Sequence, residues 1–582
     1  MKKVITFLIA VFIGIALSAQ TSNTFKYVVN ANGGINAALG ATANVVSIAD
    51  YTIDKVGSTY YARPGIGTGY TAYSNADATI VIQAALDALT TGGKVYIKQG
   101  LYDNLNAIEV NNANIIIEGE GKFTTILKLK NGFDTGKTFA SYPKFIAIAA
   151  NGITIRNLQL DGNAAGQTYQ WAPGNVTGRI HGIYTGYSVV NGWVTPYDFL
   201  LENSYIHDFT EFGFWAAQLD RGEIRNCYFK DNQENNINGS VGATNLVIHH
   251  SVFSGSASVS VAISGTNNEV SDCQIRDGNI AGGGTCWGGE FMAPIRSKFI
   301  DNVITGFNEG IVSGNAGHDN NIEYNIISNV LTNAITMTGD SSSTIKSNNI
   351  NGFGNNGITL VGCEEMDISG NTVSNLTGSG TAALNLTNTG GTYSINNIIK
   401  NNILINLHGY GINIAASCNN NIVTDNYIDG TAWGDVNNAS TGTIWKGNYG
   451  KKTGSWLSET GASNITATAT ADGLTTGIIK PGSQNLTVAS NINAAYWISL
   501  PAASAATIGT RITGLLVGAQ VCELRTQAAQ EGTVYINGIT GAGKEAALPA
   551  ACSFEVIQVS ATHWILKAWT ALGAEITAIV PD

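Results

Sequence analysis

Within residues 179–234, Glu211, Glu234, Asp208, Asp231, His181, Arg179 and Arg221 have types and spacing suited to acid–base chemistry. Asp208 and Asp231 are 23 residues apart, and so are Glu211 and Glu234. In a chain that repeats with that period, each pair falls on adjacent units, stacked about 5 Å apart. Stacked carboxylates repel, so a shared proton, a Ca²⁺ ion or substrate work must offset the cost. Glutamate has no turn preference, and Glu211 and Glu234 read either as catalytic groups or as solvated surface. Asp208 and Asp231 occupy a place that Gly255, Asp277, Gly306 and Asn329 fill elsewhere. That is the pattern of a left-handed turn, and the alternative is a Ca²⁺ site. His181, in Arg179-Ile180-His181-Gly182, suits a general base, a substrate ligand or an ordinary structural histidine. Arg179 and Arg221 carry the charge that would stabilise a developing anion.

A second row comes from a strand whose residues alternate in and out. With Phe214 and Ala216 inward, the outward positions are Tyr184, Trp215, Asn238, Glu290, Thr336, Thr359 and Asn413. Tyr184 and Trp215 on neighbouring units would form a flat aromatic platform for sugar rings, unless an insertion covers them. Trp287 lies in an insertion beside this row. The expected substrate-binding set is therefore Tyr184, Trp215, Asn238, Glu290, Arg179 and Trp287, with Glu211, Glu234, His181 and Arg221 catalytic.

The elements that must position these residues repeat. A frame of two apolar residues with four between them, seen as Ile224 to Phe229, recurs at Ile248, Val270, Phe299, Ile322, Ile345, Ile368, Ile399 and Val423. Most steps are close to 23, with two longer steps that mark inserted loops. Short strands joined by Asn, Asp and Gly leave no room for a helix in each unit. Such a unit cannot bury its own apolar face and must stack on its neighbours. The class is all-β, a right-handed parallel β-helix. Asn302, Asn325, Asn348, Asn371, Asn402 and Asn426 share one place in the frame. Stacked amides there would satisfy turn backbone, a structural role. Insertions at about 163–178, 186–197 and 278–292 fall in the half of the solenoid that holds the acids and aromatics, and long loops on a rigid scaffold are where function concentrates.

The chain of 582 residues has a formal charge of −11, which argues against nucleic acid as a partner. Met1-Lys2-Lys3, the apolar run Val4 to Leu17 and Ser18-Ala19-Gln20 describe a secretory signal peptide cut after Ala19, a membrane anchor being the alternative. The mature protein is then secreted, at the cell surface or periplasmic, with no membrane contact after cleavage. Cys227 and Cys273 occupy the same place two coils apart, roughly 10 Å, which is too far for a disulfide. Cys522 and Cys552 could pair, though nothing requires it.

Residues 20–75 read as a lead-in. The run Ala76 to Leu89 has helical periodicity, with Asn75 or Asp77 able to cap it. Then follow Gly92-Gly93-Lys94-Val95-Tyr96-Ile97 and Ile115-Ile116-Ile117-Glu118-Gly119-Glu120-Gly121. This order resembles the start of pectate-lyase-like β-helix proteins, and the resemblance covers about residues 75–450. It implies a helix, about 77–90, that caps the open end of a solenoid spanning 76–450. It also implies a secreted carbohydrate-active protein, with lyases, hydrolases, epimerases and binding proteins all in the superfamily. The Asp-Asp and Gly-His-Gly signatures of polygalacturonase-type hydrolases are missing, since Ile180 precedes His181, and this favours a lyase over a hydrolase. A non-enzymatic glycan-binding adhesin or phage-type receptor-binding spike is the other reading. Residues 451–582 lose the beat, and alternating runs such as Tyr496–Leu500 and Phe554–Val559 suggest an antiparallel β-sandwich-like domain. That domain resembles phage tail and tailspike modules, which implies a homotrimer.

Overall fold

In a computed structural model, the protein is described over residues 49–450, apart from 66–67, 138–142, 173–178, 281–284, 316, 379, 433 and 441, and over separate pieces of 455–576. The expected signal peptide and most of the expected lead-in lie outside the described residues, as do parts of two insertions.

The chain winds into an all-β parallel solenoid, and the apolar frame of the sequence is its register. Ile224 pairs with Ile248, then Val270, Phe299, Ile322, Ile345, Ile368, Ile399 and Val423 in successive parallel strands. The second apolar position does the same from Phe229 through Phe253, Ile275 and Ile304 to Ile428. These residues are almost wholly buried in one continuous core. The stack extends further towards the N-terminus than the beat suggested, from Val95 through Ile117, Ile155 and Leu201 to Ile224. A 30-stranded and a 15-stranded sheet form its faces.

The helix α1 (Ala78–Ala88) is capped by Asp77, whose carboxylate accepts from the Thr79 amide. Gln83 fastens it to the first coils by exchanging hydrogen bonds with the backbone of Glu109. Six strands of the first sheet carry the outward row: β1 (His181–Thr185), β2 (Phe214–Arg225), β3 (Ile237–Thr244), β4 (Val259–Thr266), β5 (Trp287–Ile295) and β6 (Glu309–Asn315). The register aligns Tyr184, Trp215, Asn238, Ala262, Glu290, Val312 and Thr336.

The asparagine row is a hydrogen-bonded ladder. From Asn302 to Asn448, each side-chain oxygen accepts from both the amide and the side chain of the preceding asparagine, at 2.8–3.0 Å. A second polar row two residues before the frame, through Asn268, Ser297, Asn320 and Ser343, does similar work at another turn. Six cysteines, Cys227, Cys273, Cys286, Cys363, Cys418 and Cys552, are free and buried. Cys552 is therefore not in a disulfide. Near the C-terminus a second apolar core runs from Ile498 to Ala568. There Ser553–Ser560 pairs antiparallel with Arg511–Leu516 and with His563–Trp569, while other pairs in the same sheets are parallel.

Candidate functional site

The carboxylates Glu211 and Glu234 stack on adjacent coils, the amide of Glu234 donating to the carbonyl of Glu211. Arg179 bridges them: one guanidinium nitrogen, Nη1, lies 2.9 Å from Glu211 Oε1 and 3.0 Å from Glu234 Oε2. The cost of stacking two acids is thus met by a shared cation together with a shared proton. Burial first, and then the neighbouring Glu234 charge, push the Glu211 carboxyl up to about 8, against the opposing pull of Arg179. Burial also raises Glu234. Glu211 therefore keeps its proton at neutral pH while Glu234 faces the cation. The two differ in access, since the Glu211 side chain is 1% exposed and that of Glu234 is 18%.

His181 completes the cluster from β1. Its Nδ1 is 3.3 Å from Glu211 Oε2. The two are not aligned as a hydrogen bond, and among the described residues neither atom finds another partner. Burial, followed by the Lys144 and Arg179 charges, drives the imidazole well below its ordinary range, so it is neutral. Aromatic rings pack around it: Phe212 stacks at 5.1 Å, Trp215 meets it edge-on at 4.5 Å and Tyr184 lies at 5.9 Å.

The expected flat platform is not formed. Tyr184 is fully buried, and its ring stands at 88° to Trp215 with centroids 4.9 Å apart. Lys144 explains part of this, its ammonium lying 5.2 Å from the Tyr184 centroid and 4.5 Å from that of Tyr187. The insertion at 186–197 is tied back to earlier coils by Ser188 and Asn191, which bond to Asn111. Trp171, in the insertion before it, donates its backbone amide to Gln233 beside Glu234. Lys144 and Phe212 were not singled out from the sequence. The beat had not been counted back as far as the coil of Lys144, although a lysine amid Phe145 and Ile146 was the available signal.

Other expected residues lie apart. Arg221 sits at the far end of β2, paired with Asp198 at 2.9 Å and Asp220 at 2.6 Å, and its side chain is 54% exposed. It does not pair with Glu211, because five residues of strand lie between it and Trp215. Asp208 and Asp231 have φ of 54° and 53°, so both are left-handed turn residues. Among the described residues, the possible metal ligands that cluster are Asp161, His207 and Asp208, and Asp231 is not one of them. The Asp231 carboxylate overlies Gly255, where any β-carbon would collide, and pairs with Lys230 at 3.4 Å. Asp208 instead meets His207 and Asp161, their ligand atoms all within 4.8 Å of one another. The Lys128 ammonium, 2.9 Å from Asp161, already supplies positive charge there.

Further along the row, Asn238 Oδ1 is buried with no partner among the described residues. Beyond Ala262 stands Glu290, which burial alone pushes up to about 7. One coil on, Glu309 is also raised by burial but is held back by hydrogen bonds from Thr336, at 2.8 Å, and Asn333. Trp287 pairs directly with Glu309 across β5 and β6. The site is therefore a line of carboxyls, one end buried under aromatic rings and the other half-exposed.

With this geometry in view, the comparisons place the fold. Residues 291–468 match the family model described as a right-handed β-helix region. Among solved structures, the A-module of mannuronan C-5 epimerase AlgE6 from Azotobacter vinelandii is similar at 16% identity, with a TM-score of 0.48, over 64% of this chain and 95% of that one. The catalytic unit of a GH87 α-1,3-glucanase from Streptomyces thermodiastaticus shares 14% identity, with a TM-score of 0.40, over 64% and 65% of the two chains. The Dettilon tailspike protein shares 15%, with a TM-score of 0.41, over 68% and 71%. No curated protein matches the sequence.

Proposed function

We propose that this is a secreted carbohydrate-active β-helix protein that grips an extracellular polysaccharide along the face from β1 to β6 and acts on it by acid–base chemistry. The observation that carries the reading is the line of Glu211, Glu234, Glu290 and Glu309, all raised by burial, Glu211 to about 8 and Glu290 to about 7. Carboxyls protonated near neutral pH beside ionised ones are what general acid–base catalysis requires. Lyase chemistry also needs a cation for the developing enolate. Arg179 is already bound by two carboxylates, so hydrolysis gains over elimination. Within this reading, α1 shields the first coil from edge pairing, and residues 451–582 form a separate β-domain through which chains trimerise.

The test is incubation of the purified full chain with neutral and acidic polysaccharides, followed by assay for reducing ends and for ultraviolet-absorbing unsaturated products. Release of either from any of them is expected, and release of neither removes the enzyme reading. A second reading, a glycan-binding adhesin or receptor-binding spike, is favoured by the complete burial of Glu211 and His181. It predicts retarded migration in gels containing glycan, with no product.

A further inference from the structure

Beyond the Arg179 cluster, the outward face changes character. Gly288 and Gly289 pass so close to Ile304, Phe307 and Phe299 that a β-carbon at either would collide. Trp287 and Glu290 are the side chains this stretch sends outward, and both are half-buried. On the next strand, Val312 is directly opposite Glu290 and is 5% exposed. On the strand after that, Thr336 holds the carboxylate of Glu309. Glu290 and Thr336 are therefore two strand steps apart, roughly 10 Å. Glu309, three residues before Val312 on the strand between them, leans its carboxylate on to Thr336, while Glu290 Oε1 lies 4.0 Å from where a β-carbon on Gly314, two residues after Val312, would stand. A gap results, floored by Val312, flanked by Trp287, with one carboxyl on each side.

The two carboxyls have different surroundings. No hydrogen bond or ion pair to Glu290 is found among the described residues, and desolvation favours its protonated form. Glu309 accepts from Thr336 and Asn333, which favours its ionised form. Inverting glycosidases keep acid and base about 6.5–9.5 Å apart so that a water fits beside the sugar, and a pair on opposite sides of Val312 leaves such room. Among the described residues, no cation pairs with either group. Uronate-bearing chains would be repelled there, whereas a neutral sugar can rest its apolar face on Val312 and Trp287.

We propose that Glu290 and Glu309 are the general acid and general base of an inverting hydrolysis of a neutral glycan, with Val312 as the floor beneath the reacting sugar. This rests on the reading of the face as a glycan site. In the step, water bonds through its oxygen to the anomeric carbon and gives a proton to the Glu309 carboxylate. The bond from that carbon to the glycosidic oxygen breaks, and Glu290 gives its proton to the departing oxygen. One water is consumed, and solvent carries the proton from Glu309 back to Glu290.

The experiment uses the full chain on laminarin, starch, xylan and galactomannan, with polygalacturonate and alginate as acidic controls. A neutral polymer is expected to be cleaved with inverted anomeric configuration, read by proton NMR of the first products. Glu290→Gln and Glu309→Gln should each lose about 10²–10⁴-fold in rate, with unchanged thermal unfolding. Glu309→Ala should regain part of its rate with added azide, giving a glycosyl azide of inverted configuration. Retained configuration, or variants within tenfold of the native rate, overturns the pair while leaving the glycan site standing. Cleavage confined to the polyuronates overturns it equally. If the native chain neither binds nor cleaves any of the six polymers, the glycan reading falls and the pair with it.

Discussion

Replacing Glu211 by glutamine tests the central claim about the buried cluster, that its carboxyl holds a proton at neutral pH. In the unfolded chain the group titrates at its ordinary value of 4.5; in the fold it does so at about 8. Below 4.5 both states are protonated, and the group does not make stability depend on pH. As pH rises the unfolded chain releases its proton first, so stability falls until the folded carboxyl has also ionised. At about 1.4 kcal/mol per pH unit, the loss across that window is on the order of 5 kcal/mol. Glutamine has the same shape, can still accept from Arg179 and cannot ionise. With unfolding entropy of about 2.1 cal/mol/K per residue over roughly 400 solenoid residues, the corresponding shift is about 6 °C. Apparent Tm at one scan rate should therefore be similar for both proteins near pH 5, with Glu211→Gln higher by about that amount at pH 9. Parallel curves from pH 5 to 9 would show that Glu211 is ionised in the fold, and the account of the cluster would be wrong.

Three further outcomes are expected. Asn348→Ala removes bonds to Asn325, Ile322 and Asn371 in the buried ladder; a loss of about 3 kcal/mol or more is expected in urea unfolding, against about 0.5 kcal/mol or less for the exposed Asn355→Ala. Burial pushes the Cys227, Cys273 and Cys363 thiols up to about 12, so the native protein should resist thiol reagents at all six buried cysteines, and mass mapping should find them modified only after unfolding. Light scattering should give three times the chain mass for the full protein and a monomer when residues 451–582 are removed; equal states for both would dismiss the trimerisation proposal.

The solenoid was legible because its physics is periodic. One residue type in each place of the frame, repeated at a near-constant step, specifies both register and burial, and Ile224 and its successors pair as counted. The N-terminal coils were harder to count, because the insertions around Trp171 and Trp193 lengthen the steps between Ile155 and Leu201. The same ruler brought Glu211 and Glu234 together. It did not show that Arg179, from the segment just before β1, lies between them, since ion pairing depends on side-chain direction. Tyr184 illustrates a different limit. Alternation placed it outward, but whether outward means exposed depends on Lys144 and on the path of an insertion, and neither has a period. Arg221 was misplaced for a simpler reason: β2 continues past the site and carries that residue beyond it, to Asp198 and Asp220.

The asparagine ladder gives the protein an adjustable length. Every rung between Asn302 and Asn448 donates the same N–H groups to the next and offers the same oxygen to the one before it. Excision of residues 326–348 would therefore set Asn325 against Asn371 with the chain still in register, and duplication of the same segment would add a coil at no new interface. The coils bearing Arg179, Glu211 and Glu234 have no such freedom, because their partners are named residues rather than identical rungs. Lineages carrying this fold can thus lengthen or shorten at one end while the other keeps its chemistry.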